Sequence, residues 1–194
     1  MIGRIRGVLV EKSMTAVLVE SAGVGYEIDI PLTTFYRLPD SGQEVILHTH
    51  LVVREDAQLL YGFYTIGERD MFRSLIKVNS VGPRLALNIL SGVESDALIR
   101  CIREQDEKTL VGLPGVGRKT ATRLIMEMRD RLPDIEASGE TYAEDGSRDI
   151  MADAEAALIG LGFKPQEASR ALARVEAPAS DVETLIKHAL KALS

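Results

Sequence analysis

Short apolar-rich runs, several of which alternate hydrophobic and polar residues, fill the first third of the chain. Turn residues separate these runs, which cover 4–10, 15–20, 26–30, 45–53 and 59–64. Five short strands within about sixty residues predict a small barrel, most economically an OB-fold. A small β-sandwich is the alternative interpretation.

The middle third changes to the spacing of amphipathic helices. Apolar residues recur at helical intervals at Met71, Phe72, Leu75, Ile76 and Val78. Pro83 suits the first position of a following helix, because its missing N–H is not needed there. Further helical runs are predicted over 97–102, 108–111 and 118–128. This part of the chain therefore predicts a compact all-α domain.

The last third opens with a polar stretch. Residues 133–149 are rich in Glu, Asp, Gly and Ser, which predicts a solvated, flexible linker. Three short helices are predicted beyond it, and Ser180 with Glu183 forms a capping box for the last one. The predicted organisation is multidomain α and β: an OB-fold barrel over 1–64, an all-α domain over 65–132, an acidic linker over 133–150 and a three-helix bundle over 151–194.

Residues 75–90 and 110–125 align at a constant offset of 35. The identical pairs include Val81 with Val116, Gly82 with Gly117 and Ala86 with Ala121, and the pair Arg84 with Lys119 keeps its positive charge. A repeat of this kind indicates one supersecondary unit used twice.

Each copy has the chemistry of a helix-hairpin-helix motif that binds the phosphate backbone. Glycine between two helices removes a side chain that would keep phosphate from the backbone, and the next helix offers free N–H groups and a favourable dipole. A plain helix end is the alternative for one copy, and two copies in register disfavour it. The predicted phosphate-binding residues are Ser80, Val81, Gly82, Arg84, Gly115, Val116, Gly117, Arg118, Lys119, Thr120 and Arg123.

The two copies differ at one position. Ser80 stands in the first hairpin where the second has Gly115. If that position requires a positive φ, the first hairpin is either strained or shaped differently. The second hairpin also approaches a P-loop pattern, but Arg118 follows Gly117 where a P-loop needs lysine, so nucleotide binding is disfavoured.

The charge distribution places DNA binding in the middle third. The net charge of −6 alone argues against nucleic acid. However, residues 68–131 hold 12 Lys or Arg against 9 Asp or Glu, whereas both flanking thirds are acidic. No apolar run is long enough for a bilayer, and the single Cys101 is read as a small core residue, which together favour a reducing cytoplasmic setting and no membrane.

Other classes of function find little support in the sequence. A glycosylase or nuclease built on helix-hairpin-helix motifs would need a nucleophilic lysine or a catalytic acid shortly after the second hairpin, and the acids Glu127 and Asp130 fall there at ordinary helix-surface spacing, which disfavours that class. No Ser–His–Asp or Cys–His constellation is visible either. The acidic barrel region has few aromatic residues, which makes it a poor RNA platform. His48 and His50 lack further zinc ligands nearby, and no metal or cofactor is predicted.

Nearly the full length of the chain resembles the RuvA family. The most specific matches are MIGRIRG at 1–7, GVGYE at 23–27, VVREDAQLLYGF at 52–63, the paired hairpins, and GFKPQEASR at 162–170. The resemblance implies a non-catalytic subunit that binds four-way DNA junctions. It also implies a homotetramer, with an octamer left open, a C-terminal domain that docks the RuvB motor ATPase, and the RuvC resolvase as a further candidate partner.

Arg54, Glu55 and Asp56 fall in a turn between two predicted strands. By composition alone they form an ordinary solvated turn, and two adjacent carboxylates make a poor metal site. The family resemblance implies instead that Glu55 and Asp56 form an acidic pin at the junction centre. There they would repel phosphates at short range while Arg54 contacts DNA.

Overall fold

The computed structural model describes residues 1–129, 131–132, 150–173 and 182–193. They divide into two compact units, Met1–Tyr142 and Ala143–Ser194. Within the described residues the elements are β1 (Arg4–Lys12), β2 (Ala16–Ser21), β3 (Val24–Asp29), α1 (Leu32–Arg37), β4 (Glu44–Val53), β5 (Gln58–Phe63), α2 (Ile66–Leu75), α3 (Pro83–Gly92), α4 (Ser95–Arg103), α5 (Glu107–Val111), α6 (Arg118–Arg129), α7 (Ile150–Gly160), α8 (Pro165–Ala173) and α9 (Val182–Leu193). The predicted linker at 133–149 and the cap residue Ser180 lie outside the described residues.

The five strands close into a barrel in the order β1-β2-β3-β5-β4. Strands β3 and β5 pair in parallel, with Asp29 opposite Tyr61, and the other pairs are antiparallel. Alternate residues point inward, so that Leu9, Val19 and Leu47 are completely buried. This closed five-stranded barrel confirms the predicted OB-fold over the sandwich alternative.

Helix α1 has no counterpart among the predicted elements. It spans only Leu32–Arg37, and its one fully buried residue is the polar Thr34. So short a helix has no room for an apolar stripe at helical spacing. Phe35 and Leu38 nevertheless pack against the barrel core, so α1 covers part of the barrel.

A buried carboxylate joins the barrel to the helices. Glu68 is 6% exposed, and its Oε2 accepts hydrogen bonds from Thr34 Oγ1 at 3.2 Å, from the Tyr64 amide at 3.0 Å and from the Thr65 amide at 3.3 Å. In return the Thr65 hydroxyl accepts from the Glu68 amide at 3.1 Å, which completes a capping box for α2. One side chain thus links α1, the end of β5 and the start of α2.

The barrel and the hairpin helices share a hydrophobic core. Tyr61 and Phe63 of β5 belong to the same buried cluster as the apolar faces of α2 to α6. The Phe72 ring of α2 lies 5.1 Å from that of Tyr61 and 4.9 Å from that of Phe63, measured between ring centroids. Continuous packing of this kind resists relative motion of the two parts.

The second unit packs α7, α8 and α9 around a core of small and branched residues, among them Leu158, Leu172 and Leu185. Its sequence also suggests Leu161 as a core position, but Leu161 is 63% exposed. Gly162 has φ +100°, and the Phe163 amide donates to the Leu158 carbonyl at 3.2 Å in a Schellman turn. The helix ends there, and Leu161 points to solvent.

Candidate nucleic-acid interface

The two hairpins have the same backbone hydrogen bonds. Each bond in the first copy has its counterpart 35 residues later: Val81 N to Val78 O at 3.0 Å matches Val116 N to Leu113 O at 3.1 Å, and Ala86 N to Gly82 O at 3.0 Å matches Ala121 N to Gly117 O at 2.9 Å. The sequence repeat is therefore a repeat of structure. The predicted helical spacing extends to Val78, but α2 ends at Leu75, and Ile76 and Val78 lie in the turn.

Each turn has a buried anchor beside an open glycine. Val81 is 4% exposed and Val116 is 5% exposed, so both side chains point into the core. Gly82 and Gly117 face outward, and a Cβ built on either would meet nothing within 4 Å. The first-turn amides of α3 and α6 begin at these glycines and have no partner within their helices. This arrangement leaves room for an anion at both helix starts.

Three predicted phosphate ligands extend from these helix starts into solvent. Arg84 on α3 and both Arg118 and Lys119 on α6 are exposed. In the described part of the chain, their side chains make no ion pair or hydrogen bond. Thr120, which follows on α6, is only partly exposed. The three cations are thus available to a polyanion.

Ser80 adopts the left-handed conformation of its glycine counterpart. Its φ is +71°, against +83° for Gly115. The first hairpin is therefore strained but not reshaped, which decides between the two outcomes expected for this position. A non-glycine residue in this region costs on the order of 1 kcal/mol. At Gly115 a Cβ would also come within 3.0 Å of Leu85 Cδ1, so this turn is packed against α3.

The two helix starts are not equally suited to phosphate. Pro83 occupies the first position of α3, where the second hairpin has Arg118. Proline has no N–H, so the first hairpin lacks one amide donor and one cation of the second. Arg123, predicted as a ligand of the second hairpin, donates from Nη1 to Ser80 Oγ at 2.8 Å and so touches the first.

The acidic turn lies at the far end of β4 and β5. Arg54, Glu55 and Asp56 are exposed, and the Arg54 amide donates to the Ala57 carbonyl at 2.8 Å across the turn. Among the residues described, these three side chains form no ion pair. Across the same residues, no group of three or more His, Cys, Asp or Glu side chains is arranged to hold a metal ion.

The two histidines of β4 lie against α2. His50 Nδ1 accepts a hydrogen bond of 3.4 Å from Arg73 Nε, and its ring meets the Phe72 ring edge-on. Burial, followed by Arg73 and Arg69, lowers the pKa of His50, and burial with Arg69 and Arg4 does the same for the pKa of His48. Both therefore belong to the contact between barrel and helices.

Sequence reasoning missed two acids near the hairpins. Burial raises the pKa of the Asp29 carboxyl, and the nearby charge of Arg84 partly offsets that rise. Glu127 on α6 accepts hydrogen bonds from Asn79 in the first turn. Both contacts join residues far apart in the chain, so no local pattern marks them.

No helix among the described residues has the length and apolar character that crossing a membrane would require.

Three family models match the chain in order. They are the RuvA N-terminal domain over residues 1–62, a SAM-like helix-hairpin-helix tandem over 72–130 and the RuvA C-terminal domain over 149–194. Similar full-length proteins are each named Holliday junction branch migration complex subunit RuvA. The one from Marinobacter nauticus is 54% identical, covering 98% of this chain and 97% of the relative. The one from Yersinia enterocolitica is 51% identical, covering 99% of each. The one from Photorhabdus laumondii is 50% identical and covers both completely. The chain therefore belongs to the RuvA family.

Proposed function

We propose that this chain is a non-catalytic subunit that binds four-way DNA junctions and serves a RuvB-type motor ATPase in branch migration. The observation that carries the proposal is the pair of hairpins, which share one backbone geometry and each place an open glycine at a helix start. Its relatives are named as subunits of a Holliday junction branch migration complex. Homologous recombination and DNA repair are the processes that use this activity.

Binding uses the backbone and charge of the hairpins. Amides at the starts of α3 and α6 donate to phosphate oxygens, and Arg84, Arg118 and Lys119 add charge-assisted hydrogen bonds. Ser80, Val81, Gly82, Gly115, Val116, Gly117, Thr120 and Arg123 complete the proposed site. None of these contacts reads a base edge, so affinity depends on the shape of the DNA and little on its sequence.

Junction selectivity comes from two opposing effects on DNA: the acidic turn repels phosphates, whereas the hairpins bind them. We assign Glu55 and Asp56 to the centre of the junction, where carboxylates repel phosphates that come close. Arg54 holds DNA beside them. A linear duplex offers no open centre, so it gains the repulsion without the full set of hairpin contacts.

Four copies around one junction give each DNA arm its own pair of hairpins. We propose a homotetramer, with two tetramers forming an octamer as the alternative, and light scattering on the purified protein distinguishes a monomer, a tetramer and an octamer.

The proposed functional division of the chain is a barrel domain over 1–64, a DNA-binding domain over 65–132, a linker over 133–150 and a motor-binding domain over 151–194. The cytoplasm is the proposed compartment, and the RuvC resolvase is a further candidate partner on the same junction.

The C-terminal unit is the proposed motor-binding part. Ile159 is 41% exposed and Leu161 is 63% exposed at the end of α7, although the bundle has its own closed core. Exposed apolar side chains on so small a unit suit a weak, reversible protein contact. Residues 132–194 are also acidic, with 12 Asp or Glu against 6 Lys or Arg, which disfavours DNA as their partner.

A mobility-shift titration tests the proposal directly. The full chain is titrated onto a four-way junction and onto a linear duplex of equal sequence at the same salt concentration. We expect tighter binding to the junction, with little change when the arm sequences are exchanged. Equal affinity for the two DNA forms would contradict the proposed function.

A further inference from the structure

Helix α6 contacts the first hairpin with polar residues spaced four apart. Arg123 and Glu127 recur on α6 at the spacing that places side chains on one helix face, and Arg131 follows in the turn just after the helix. Their contacts are Arg123 Nη1 to Ser80 Oγ at 2.8 Å, Asn79 N to Glu127 Oε2 at 3.3 Å, Asn79 Nδ2 to Glu127 Oε1 at 3.4 Å, and Arg131 Nη1 to the Ser74 carbonyl at 3.5 Å. The turn of the first hairpin is therefore held from outside its own motif.

Helix α3 contacts the second hairpin in the corresponding way, but through apolar groups. A Cβ built on Gly92 would lie 3.0 Å from Leu113 Cδ2 and 3.7 Å from Pro114 Cδ. Gly92 is the repeat counterpart of Glu127, and Pro114 is the counterpart of Asn79. Each motif's second helix thus braces the other motif's turn, and only one of the two braces is polar.

This difference follows from the turn residues. Pro114 fixes its own φ and has no N–H, and Gly115 takes a positive φ without strain. Asn79 has no ring to fix its φ and carries an N–H that needs an acceptor, and Ser80 holds φ +71° against its intrinsic preference. The first turn therefore lacks the local restraints of the second.

We propose that Glu127 is a positioning residue for DNA binding. Its carboxylate accepts from both nitrogens of Asn79 and keeps the strained first turn in the geometry of the second, so that Gly82 and Arg84 face the phosphates. Arg123 supports the same turn through Ser80. This inference rests on the proposed function, since it assigns Glu127 a part in that same binding surface.

The direction in which Glu127→Ala changes junction affinity separates a positioning role from a purely electrostatic one. Glu127 is an acid beside a phosphate-binding surface and lies 3.9 Å from Arg131 Nη2. If it acted through charge alone, Glu127→Ala would tighten junction binding. If it positions the first turn, the same change weakens binding by about tenfold, the effect of removing one charge-assisted hydrogen bond to phosphate. Glu127→Gln keeps an acceptor oxygen and should stay close to the parent.

Glu104→Ala is the matched control. Glu104 is an exposed acid at the end of α4, and its side chain makes no hydrogen bond or ion pair among the described residues. It removes the same charge from the same domain, so we expect its affinity to equal or exceed that of the parent. Thermal unfolding of each variant confirms that the fold is kept.

A rescue experiment addresses the turn itself. The double variant Asn79→Pro with Ser80→Gly gives the first turn the residues of the second, Pro114 and Gly115. It also removes the backbone N–H that donates to Glu127. In that background we expect Glu127→Ala to leave junction affinity unchanged. Hydrogen exchange offers a readout without DNA: Glu127→Ala should speed exchange at residues 78–82 and leave 113–117 as in the parent.

The inference is overturned if Glu127→Ala binds the junction as tightly as the parent, or more tightly, with unchanged exchange at 78–82. It is also overturned if the weakening persists undiminished in the rescue background. A parent protein that fails to prefer junctions over duplex contradicts the proposed function instead. The exchange measurement then still decides whether Glu127 holds the first turn.

Discussion

Arg123 and Ser80 are 43 residues apart and joined by a 2.8 Å hydrogen bond between Nη1 and Oγ. The two residues belong to different hairpins, so the bond joins the two motifs. The repeat alone suggests two independent phosphate sites used side by side. In the structure, each turn is contacted by the second helix of the other motif.

Gly115→Ala should destabilise the protein by about 1–2 kcal/mol, because alanine is strained at φ +83° and its methyl group meets Leu85 at 3.0 Å. Chemical denaturation measures this loss. Gly117→Ala is the control, since a Cβ there meets nothing within 4 Å. We expect that variant to be more stable than Gly115→Ala and to bind DNA weakly, because its methyl group stands where phosphate must approach. Equal stability of Gly115→Ala and the parent would contradict the argument.

Arg118→Ala and Lys119→Ala should each weaken junction binding for every arm sequence. Removing one phosphate ligand reduces the slope of log affinity against log salt by about 0.9. Arg123→Ala should also reduce the slope, and it additionally loses the bond to Ser80. Arg100→Ala, at an exposed position on α4, is the control and should leave the slope unchanged. Unchanged slopes in all three hairpin variants would rule out these residues as phosphate ligands.

Replacing Glu55 and Asp56 together by lysine should preserve the fold, because both lie on an exposed turn. DNA binding should become tighter and less selective as repulsion at the centre turns into attraction. Parallel titrations of junction and linear duplex measure the ratio of the two affinities. A ratio equal to that of the parent would remove the acidic-pin assignment.

Glu68→Ala should destabilise the first unit by about 2–4 kcal/mol, since one hydroxyl and two backbone amides lose a shared, largely buried acceptor. Glu68→Gln retains one acceptor oxygen and should lose less. Urea denaturation followed by circular dichroism gives both values. A loss below about 1 kcal/mol for the alanine variant would mean that water replaces the carboxylate at this joint.

Leu161→Ser should abolish most of the stimulation of a RuvB-type motor's ATP hydrolysis on junction DNA while leaving junction binding intact. The side chain is 63% exposed, so the bundle itself loses little packing. Leu161→Met keeps an apolar surface and should stimulate nearly as well as the parent. Normal stimulation by the serine variant would place the motor contact elsewhere.

The sequence predicts those elements whose residues recur at a regular interval. Alternating residues indicate the barrel strands, and the offset of 35 between Val81 and Val116 indicates the hairpins. Both patterns arise from interactions within the element itself. Helix α1 is too short to show a stripe. Leu161 looks like a core residue until the glycine turn that follows it directs it outward.

Contacts between residues far apart in the chain produce no regular pattern in the sequence. The carboxylate of Glu68 is marked locally as part of a capping box, but nothing in the sequence indicates that Thr34 will also donate to it. Glu127 looks like an ordinary helix-surface acid because its partner Asn79 is 48 residues away. The sequence leaves two outcomes open at Ser80, and only its φ of +71° in the fold decides in favour of strain.

Strand β5 runs from the acidic turn to the core that it shares with the hairpin helices, only six residues in all. If Glu55 and Asp56 repel phosphate and the hairpin amides bind it as proposed, the two groups are connected through one continuous packed core, which resists relative motion. When junctions of different sequence are bound, the protein has little freedom to adjust the distance between arm and centre. The DNA must do so by bending and unstacking, and junctions whose central steps deform easily should then be the ones held most tightly.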